Sequence, residues 1–299
     1  MSTRGFVTIA TGSERYYKMA FELLRSYRRY TVEKIPFAII CDQENNYTKE
    51  FDQVILLEHA NCSYMDKLLL YRYLPYDETI FIDADSLILS DPSGIWEDFA
   101  DQDDVSCYGC TYALDSKQAW FTYDGCGKYK DSIEFLVDLH GGIYYLRNTE
   151  RCRNIFEKAI ELAEEYSLYG FRNFEKPADE PVLAMSLAIH QSKPCDKPMR
   201  VLFVPSYRGK LRVHSRGELF VSGKRKQIEI LHFASPNTEL FMYQYLIAMN
   251  RYGCSKKNYL HVWFCCFPKE CKAMLRHAVG WILRRLIPLS LVNQLKERL

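Results

Sequence analysis

The sequence predicts an α/β domain: an open, mostly parallel sheet with helices on both faces. Three observations carry that expectation. Short apolar runs at residues 6–10, 36–41, 54–57 and 79–82 lack polar alternation, the pattern of strands covered on both sides. Segments with helical apolar spacing, 16–30 and 65–73, lie between them. The last apolar run delivers two carboxylates, Asp83 and Asp85, to its end, where open α/β sheets bind ligands.

In chain order, residues 6–10 form the first strand, which ends in the turn sequence Thr11-Gly12-Ser13. The β-α-β-α-β alternation that follows builds one nucleotide-type crevice, with Thr11-Gly12 and Asp83/Asp85 both at strand ends. No G-x-G-x-x-G follows the first strand and no P-loop lysine motif is present, which argues against the usual NAD and ATP sites. Further along, Gly141-Gly142 opens a strand running through Asn148, and Thr149 caps a helix to about Leu168. Another helix starts at Ala178, with Asp179 as its cap and Pro181 in its first turn. A basic stretch follows, with Arg208, Lys210, Arg212, Arg216, Lys224, Arg225 and Lys226, and a short apolar run at 228–231 then presents His232.

The 299 residues, 48% of them hydrophobic, suffice for one large core or two modest ones. A net charge of +1 and the lack of any nucleic-acid signature argue against a nucleic-acid partner. The eleven cysteines are odd in number and scattered, with no leader ahead of them, which points to reduced thiols in a cytosolic compartment. Cys107 and Cys110 form the C-x-x-C of this chain, and without a second pair at zinc-finger spacing their role is structural.

Asp83 and Asp85 carry the chemistry. Residues two apart in an extended chain share a side. Two unit charges roughly 4 Å apart repel by about 1 kcal/mol in water and about 4 kcal/mol at an effective dielectric of 20. The pair therefore shares a proton or holds a divalent cation, and oxygen ligands suit Mg or Mn. Standing alone, Asp-x-Asp after a strand is also an ordinary solvated loop start. Its company sets it apart. In order, the β-α opening, Asp83-Ala84-Asp85, His140-Gly141-Gly142, Asp179-Glu180 and Ile230-Leu231-His232-Phe233 resemble the motif series of the retaining GT-A glycosyltransferases. The nearest resemblance is to glycosyltransferase family 8, of the glycogenin and bacterial lipo-oligosaccharide galactosyltransferase type, and it spans about residues 5–245.

That resemblance implies a GT-A catalytic domain over residues 1–250, with a nucleotide-binding half at 1–90 and a sugar and acceptor half at 91–250. It implies transfer of a sugar from a nucleotide-sugar donor, UDP-linked by preference, to a glycan or lipid-linked acceptor with retention. Asp83, Asp85 and His232 become the metal ligands, and the imidazole favours Mn, with Mg as the alternative. Ala10, Thr11 and Gly12 would contact the uracil and Tyr16 would stack on it, while Lys67 and Ala84 lie beside the donor. His140, Gly141 and Gly142 would line the sugar pocket, with Asp179 near the donor hydroxyls and Glu180 as the carboxylate below the sugar. Three departures matter: His140 stands where the family usually has Asn, Glu180 where many members have Gln, and Thr238 where the family has Lys. Phosphate charge would then fall to the metal together with Lys210, Lys224, Arg225 or Lys226.

From Arg251 the composition changes. Ten basic residues in 251–299 oppose only Glu270 and Glu297, a net +8, and are interleaved with Trp263, Phe264, Phe267, Trp281, Ile282, Leu286 and Ile287. Such a segment lies on anionic lipid, which would hold the enzyme on the cytosolic face of a membrane. Alternatively it packs on the domain or joins a homodimer. It has no apolar run of about 18 residues with which to span. Two further readings compete. A haloacid-dehalogenase-type phosphatase would use Asp83 and Asp85, but Leu87 breaks its motif and His232 is left unused. A catalytically silent GT-A domain acting as a membrane-bound assembly partner has no need of three metal ligands.

Overall fold

The computed structural model describes residues 3–172, 176–207, 210–214, 218–225 and 228–286. They fall into two compact units, Met1–Phe203 with Gln227–His232, and Val204–Lys226 with Phe233–Leu299. In chain order the first unit contributes strands β1 (Arg4–Ala10), β2 (Phe37–Cys41), β3 (Gln53–Leu56), β4 (Glu78–Ile82), β5 (Ser86–Ile88), β6 (Val105–Tyr112), β7 (Leu136–Arg147) and β8 (Val201–Phe203). Strands β9 (Leu211–Val213), β10 (Leu219–Val221) and β11 (Lys224–Arg225) belong to the second unit, and β12 (Ile230–His232) to the first. The helices are α1 (Glu14–Tyr30), α2 (Gly94–Phe99), α3 (Glu150–Glu164) and α4 (Asp179–Ile189) in the first unit, then α5 (Phe241–Tyr252) and α6 (Lys256–Leu286) in the second.

The central sheet has the order β3-β2-β1-β4-β7-β6, parallel from β3 to β4 and antiparallel at β7 and β6. Its apolar runs do not alternate because both faces are covered. Phe6, Phe37, Ile39, Ile80 and Ile82 join one core, and Val7, Ala38, Ile40 and Phe81 the other. Helix α1 fits the first core because Tyr17, Ala20, Leu23, Leu24 and Tyr27 recur at three- and four-residue spacing, behind a Ser13 cap that accepts from the N–H of Arg15. A smaller sheet, β5-β12-β8, pairs β12 antiparallel with β5 and parallel with β8.

Local structure departs from the sequence-based expectations in four places. The segment before β4 is a 3-10 stretch, Tyr64–Arg72, opened by a capping box in which Ser63 and Asp66 satisfy each other's backbone N–H groups. Strand β7 begins at Leu136 rather than at Gly141, because Leu136–Leu139 pairs with Gly109–Tyr112 of β6, so both glycines sit within the strand. Helix α3, capped by Thr149 as expected, ends at Glu164, and a short 3-10 turn at Tyr166–Leu168 follows. Helix α4 has Ala178 at its N-cap, with Asp179 its first helical residue, because the Asp179 carboxylate is taken by other partners. Pro181 does occupy the first turn.

The second unit holds the antiparallel sheet β11-β10-β9 and the pair α5 and α6. Tyr259 of α6 stacks edge-on against Phe241 and Tyr245 of α5, and Glu270 accepts the backbone N–H of Phe241 at 3.0 Å. Of the basic stretch and tail singled out above, Arg208, Arg216, Lys226 and 287–299 lie outside the described residues. All eleven cysteines are free thiols.

Ser26 joins α1 to the small sheet. Its Oγ donates to Leu23 O at 2.7 Å and accepts the N–H of Ile88 in β5 at 2.9 Å, both in a buried setting. Replacing Ser26 by Ala leaves that N–H unsatisfied, which costs about 1–3 kcal/mol of stability. Urea denaturation should show a lowered midpoint with an unchanged slope.

Candidate functional site

Strands β1 and β4 are neighbours from which the sheet order runs outward in both directions, so its crevice opens beyond their carboxyl ends. Thr11-Gly12 leave β1 there and Asp83 leaves β4. Gly12 has φ +77° and donates its N–H to Asp42 Oδ2 at 3.1 Å, at the end of β2. A Cβ at residue 12 would stand 2.7 Å from that of Cys62, so only glycine meets both demands. Thr11 Oγ1 donates to the buried Asp66 Oδ2 at 2.9 Å, which ties this turn to the residue before Lys67.

Asp83 and Asp85 lie on a turn rather than on one extended strand. Strand β4 ends at Ile82, and the N–H of Ser86 donates to Asp83 O at 3.0 Å, closing the chain around Ala84. The register of β5 against β12 then pairs Ser86 with His232. Asp85 and His232 are therefore brought together by backbone hydrogen bonds, although they come from distant parts of the chain. One ligand atom from each of Asp83, Asp85 and His232 lies within 4.8 Å of the others. His232 Nε2 is 3.2 Å from Asp85 Oδ1 and 3.6 Å from Asp83 Oδ2. Burial alone would lower the His232 pKa, but the carboxylates outweigh it and raise it. Asp85 Oδ1 is close to the imidazole yet lacks hydrogen-bond alignment, and among the described residues neither it nor His232 Nδ1, both buried, has a hydrogen-bond partner. An orphaned buried carboxylate oxygen beside a second carboxylate and an imidazole is a donor set that fits a divalent cation, and the nitrogen suits Mn.

Lys67 is the cation the chain itself supplies. Its Nζ lies 2.7 Å from Asp179 Oδ2 and 3.2 Å from Asp83 Oδ2, and reaches Gly141 O at 3.4 Å, with the residue only 7% exposed. Burial works against its charge, and the charges of Asp179 and Asp83 more than offset that, so its pKa stays above the ordinary lysine value. Tyr144 completes the pair: its hydroxyl donates to Asp179 Oδ2 at 2.8 Å while its ring stacks on Phe81. Next to them, Glu180 Oε1 accepts the N–H of Gly141 at 2.8 Å. Burial, followed by the charge of Asp179, pushes the Glu180 pKa up to about 7 against the opposing pull of Lys67.

The two glycines are required by close approach. A Cβ on residue 141 would sit 2.4 Å from the Glu180 carboxyl, and one on residue 142 would sit 2.5 Å from His232 Nδ1 and 2.7 Å from His140 Cε1. His140 Nδ1 accepts the N–H of Gly142 at 2.9 Å. Burial and the neighbouring His232 lower its pKa to about 3, so His140 is neutral with the proton on Nε2, which has no partner among the described residues.

Lys67, Asp83, Asp85, His140, Gly141, Gly142, Asp179, Glu180 and His232 thus form one contiguous set of contacts, to which Thr11 is joined through Asp66, with Ala84 buried in its turn. Ala10 ends β1, and Tyr16 stands 38% exposed on the first turn of α1, outside the hydrogen-bonded network. Thr238 is buried and donates to Ser235 O at 2.7 Å, a purely local bond. Three participants were not singled out from the sequence. Asp66 was readable from its capping box with Ser63, and Asp42 from its place after the second apolar run. Tyr144 carried no signal beyond its position two residues after Gly142. A pocket of about 420 Å³ lined by Tyr71, Arg72, Leu74, Asn148, Arg153 and Glu157 lies at the opposite end of β4 and β7 and takes no part here.

Replacing Lys67 by Met removes the ammonium that Asp83 and Asp179 share and should cost about 3–5 kcal/mol in urea denaturation. Mn2+ should restore more stability to this variant than it adds to the parent, because a cation at Asp83 supplies part of the missing charge. Equal gains would remove Lys67 from the charge balance of the site.

No protein-family model matches the chain, and no curated protein is similar to it in sequence. Solved structures are similar in fold. The apo structure of the WbbM bifunctional glycosyltransferase matches with a TM-score of 0.53 at 10% identity, over 88% of this chain and 51% of that one, so the chain spans about half its length. The galactosyltransferase LgtC in complex with donor and acceptor sugar analogues matches with a TM-score of 0.48 at 15% identity, over 78% of this chain and 87% of that one. The apo form of the glycosyltransferase GlyE from Streptococcus pneumoniae TIGR4 matches with a TM-score of 0.42 at 16% identity, over 64% and 44%. With its parallel-rich α/β sheet and its likeness to WbbM, the chain has the GT-A glycosyltransferase fold that its motifs predicted.

Proposed function

We propose that this chain is a glycosyltransferase of the family 8 type, which moves a sugar from a UDP-linked donor to a glycan or glycolipid acceptor with retention of configuration. The observation that carries the reading is the meeting of Asp83, Asp85 and His232 beside Lys67 and Glu180 at the switch point of a GT-A sheet. Asp83, Asp85 and His232 would hold the divalent ion, Mn by preference. When bound, that ion supplies Lewis-acid stabilisation of the leaving diphosphate, so no general acid is needed. Thr11 and Gly12, held by Asp66 and Asp42, would receive the base, with Tyr16 as its stacking face. Asp179 is held by Lys67 and Tyr144 and would present its remaining acceptor capacity to donor hydroxyls. Glu180, anchored through one oxygen to Gly141, would stabilise or attack the anomeric carbon as it gains positive charge. The phosphatase alternative gives His232 and the glycine cradle no role, and the fold likeness does not favour it.

The tail would act at a surface. Helix α6 presents Trp263, Phe264, Phe267, Met274 and Leu275 to solvent, together with Lys256, Lys257, Lys269, Lys272 and Arg276. No helix among the described residues is long and apolar enough to cross a membrane. We assign 251–299 to an anionic membrane on its cytosolic face, near a membrane-linked acceptor, where each basic residue contributes about 1 kcal/mol.

Two experiments test these assignments. Glu180→Gln should lower turnover by at least about tenfold and leave UDP-sugar affinity within a few-fold, because the charge it meets develops in the transition state. Unchanged turnover, read by donor hydrolysis alongside calorimetric binding, would leave Glu180 with only its hydrogen bond to Gly141. For the tail, truncation would strip α5 of its partner, so point changes are preferable. Phe264→Ser with Phe267→Ser should abolish salt-sensitive sedimentation with anionic vesicles while donor hydrolysis persists. If the full chain ignores such vesicles, the exposed face of α6 serves packing or a dimer instead.

A further inference from the structure

Strand β12 carries His232 but is only three residues long, Ile230–His232, so few ladder hydrogen bonds hold its register against β5. A slip of one residue would turn His232 to the other face of the sheet. The register is braced from the base of the strand. Arg200, immediately before β8, accepts the N–H of Ile230 on its carbonyl at 3.2 Å. Its guanidinium grips Asp98 of α2 through Nε at 2.6 Å and Nη2 at 3.2 Å, and extends Nη1 to Glu229 Oε1 at 2.7 Å. Glu229 is the residue before β12, and its own carbonyl accepts the N–H of Leu89, just past β5, at 2.7 Å. Asp98 is buried and also accepts from the Tyr108 hydroxyl at 2.7 Å, which makes it a fixed anchor. Room for the guanidinium comes from Gly94, where a Cβ would fall 2.4 Å from Arg200 Nη1.

We infer that Arg200 is a positioning residue for the metal site: the Asp98–Arg200–Glu229 clamp sets β12 against Ser86 and so fixes His232 beside Asp85. The planar fork of arginine suits this task, since one side chain bonds two carboxylates in defined directions while its carbonyl holds the strand it aligns. Lysine cannot reproduce that geometry. The clamp touches neither donor nor metal and acts only through β12. The inference rests on the metal reading of Asp83, Asp85 and His232.

The test is a Mn2+ titration of the metal-free protein, with unbound Mn2+ read by electron paramagnetic resonance, on the parent and on three variants. Glu229→Ala removes the acceptor that links the fork to the strand and spares the Asp98 pair. Arg200→Lys removes the fork. Ile155→Ala, in the α3 core away from the small sheet, serves as a control for lost stability alone. Glu229→Ala and Arg200→Lys should weaken Mn2+ binding by roughly 10- to 100-fold, the range seen when groups supporting a ligand are lost, while Ile155→Ala binds as the parent does. If Arg200→Lys does not fold, Glu229→Ala decides alone. Parent-like affinity in Glu229→Ala, or equal weakening in Ile155→Ala, overturns the inference. Absence of Mn2+ binding by the parent overturns the metal reading itself, and the positioning role with it.

Discussion

Four carboxylates gathered in one largely buried cluster set the terms for the rest of this structure. Asp83, Asp85, Asp179 and Glu180 approach one another at the ends of β4, β5 and α4, and at an effective dielectric of about 20 each close pair costs on the order of 4 kcal/mol if nothing answers it. Lys67 answers two of them, Asp83 and Asp179, by direct contact. His232 lies against Asp83 and Asp85. Among the described residues Glu180 makes no ion pair, and it instead accepts a peptide N–H from Gly141. Glycine at 141 and 142 is the steric condition for this, because the carboxyl of Glu180 and the ring of His232 occupy the space that side chains would take.

The backbone brings these groups together by two independent registers. Parallel pairing of β1 with β4 places the Thr11-Gly12 turn and Asp83 at the same edge of the large sheet. Pairing of Ser86 with His232 in the small sheet brings the second half of the cluster to Asp85. Asp85 sits at the hinge between the two, three residues beyond β4 and one before β5. A turn rather than a continuous strand is needed there, since a straight strand could not leave one sheet and enter another within so few residues.

The sequence made the large sheet legible because its strands are buried on both faces, and unbroken apolar runs such as 36–41 arise only where helices cover both sides. It made Asp83 and Asp85 legible as a cation site because two carboxylates two apart close a short apolar run, whereas His232 joined them only through the resemblance of the motif series to glycosyltransferase family 8. It could not show how they meet. Strand β12 is three residues long and its pairing with β5 is long-range, and nothing in the composition of 228–232 specifies a partner. The same limit hid Tyr144, which reads as one more strand aromatic until the approach of α4 sets Asp179 over its hydroxyl. It also misplaced the cap of α4, because an acid at a helix start is normally spent on backbone N–H groups, whereas Lys67 and Tyr144 claim this one. Glycines 141 and 142 read as the opening of a strand, but that strand starts at Leu136 because β6 pairs with its earlier half.

The unequal treatment of Asp179 and Glu180 bears directly on the proposed chemistry. They are consecutive residues in the first turn of α4, where the helix dipole favours negative charge equally for both. Their side chains nonetheless meet different fates. Asp179 is neutralised by an ammonium at 2.7 Å and fixed by a phenol, which makes it a rigid acceptor and a poor source of new stabilisation. Glu180 has one oxygen with no such partner among the described residues, and burial and the Asp179 charge raise its pKa to about 7. A carboxylate whose charge is costly in the resting protein gains most when positive charge develops beside it, and that difference between ground and transition state is what accelerates a reaction. On the proposed reading, Glu180 would therefore be the group available to an anomeric carbon that becomes cationic, while Asp179, one oxygen of which meets Lys67 and Tyr144, would hold Lys67 in place and offer only its remaining acceptor capacity to the donor.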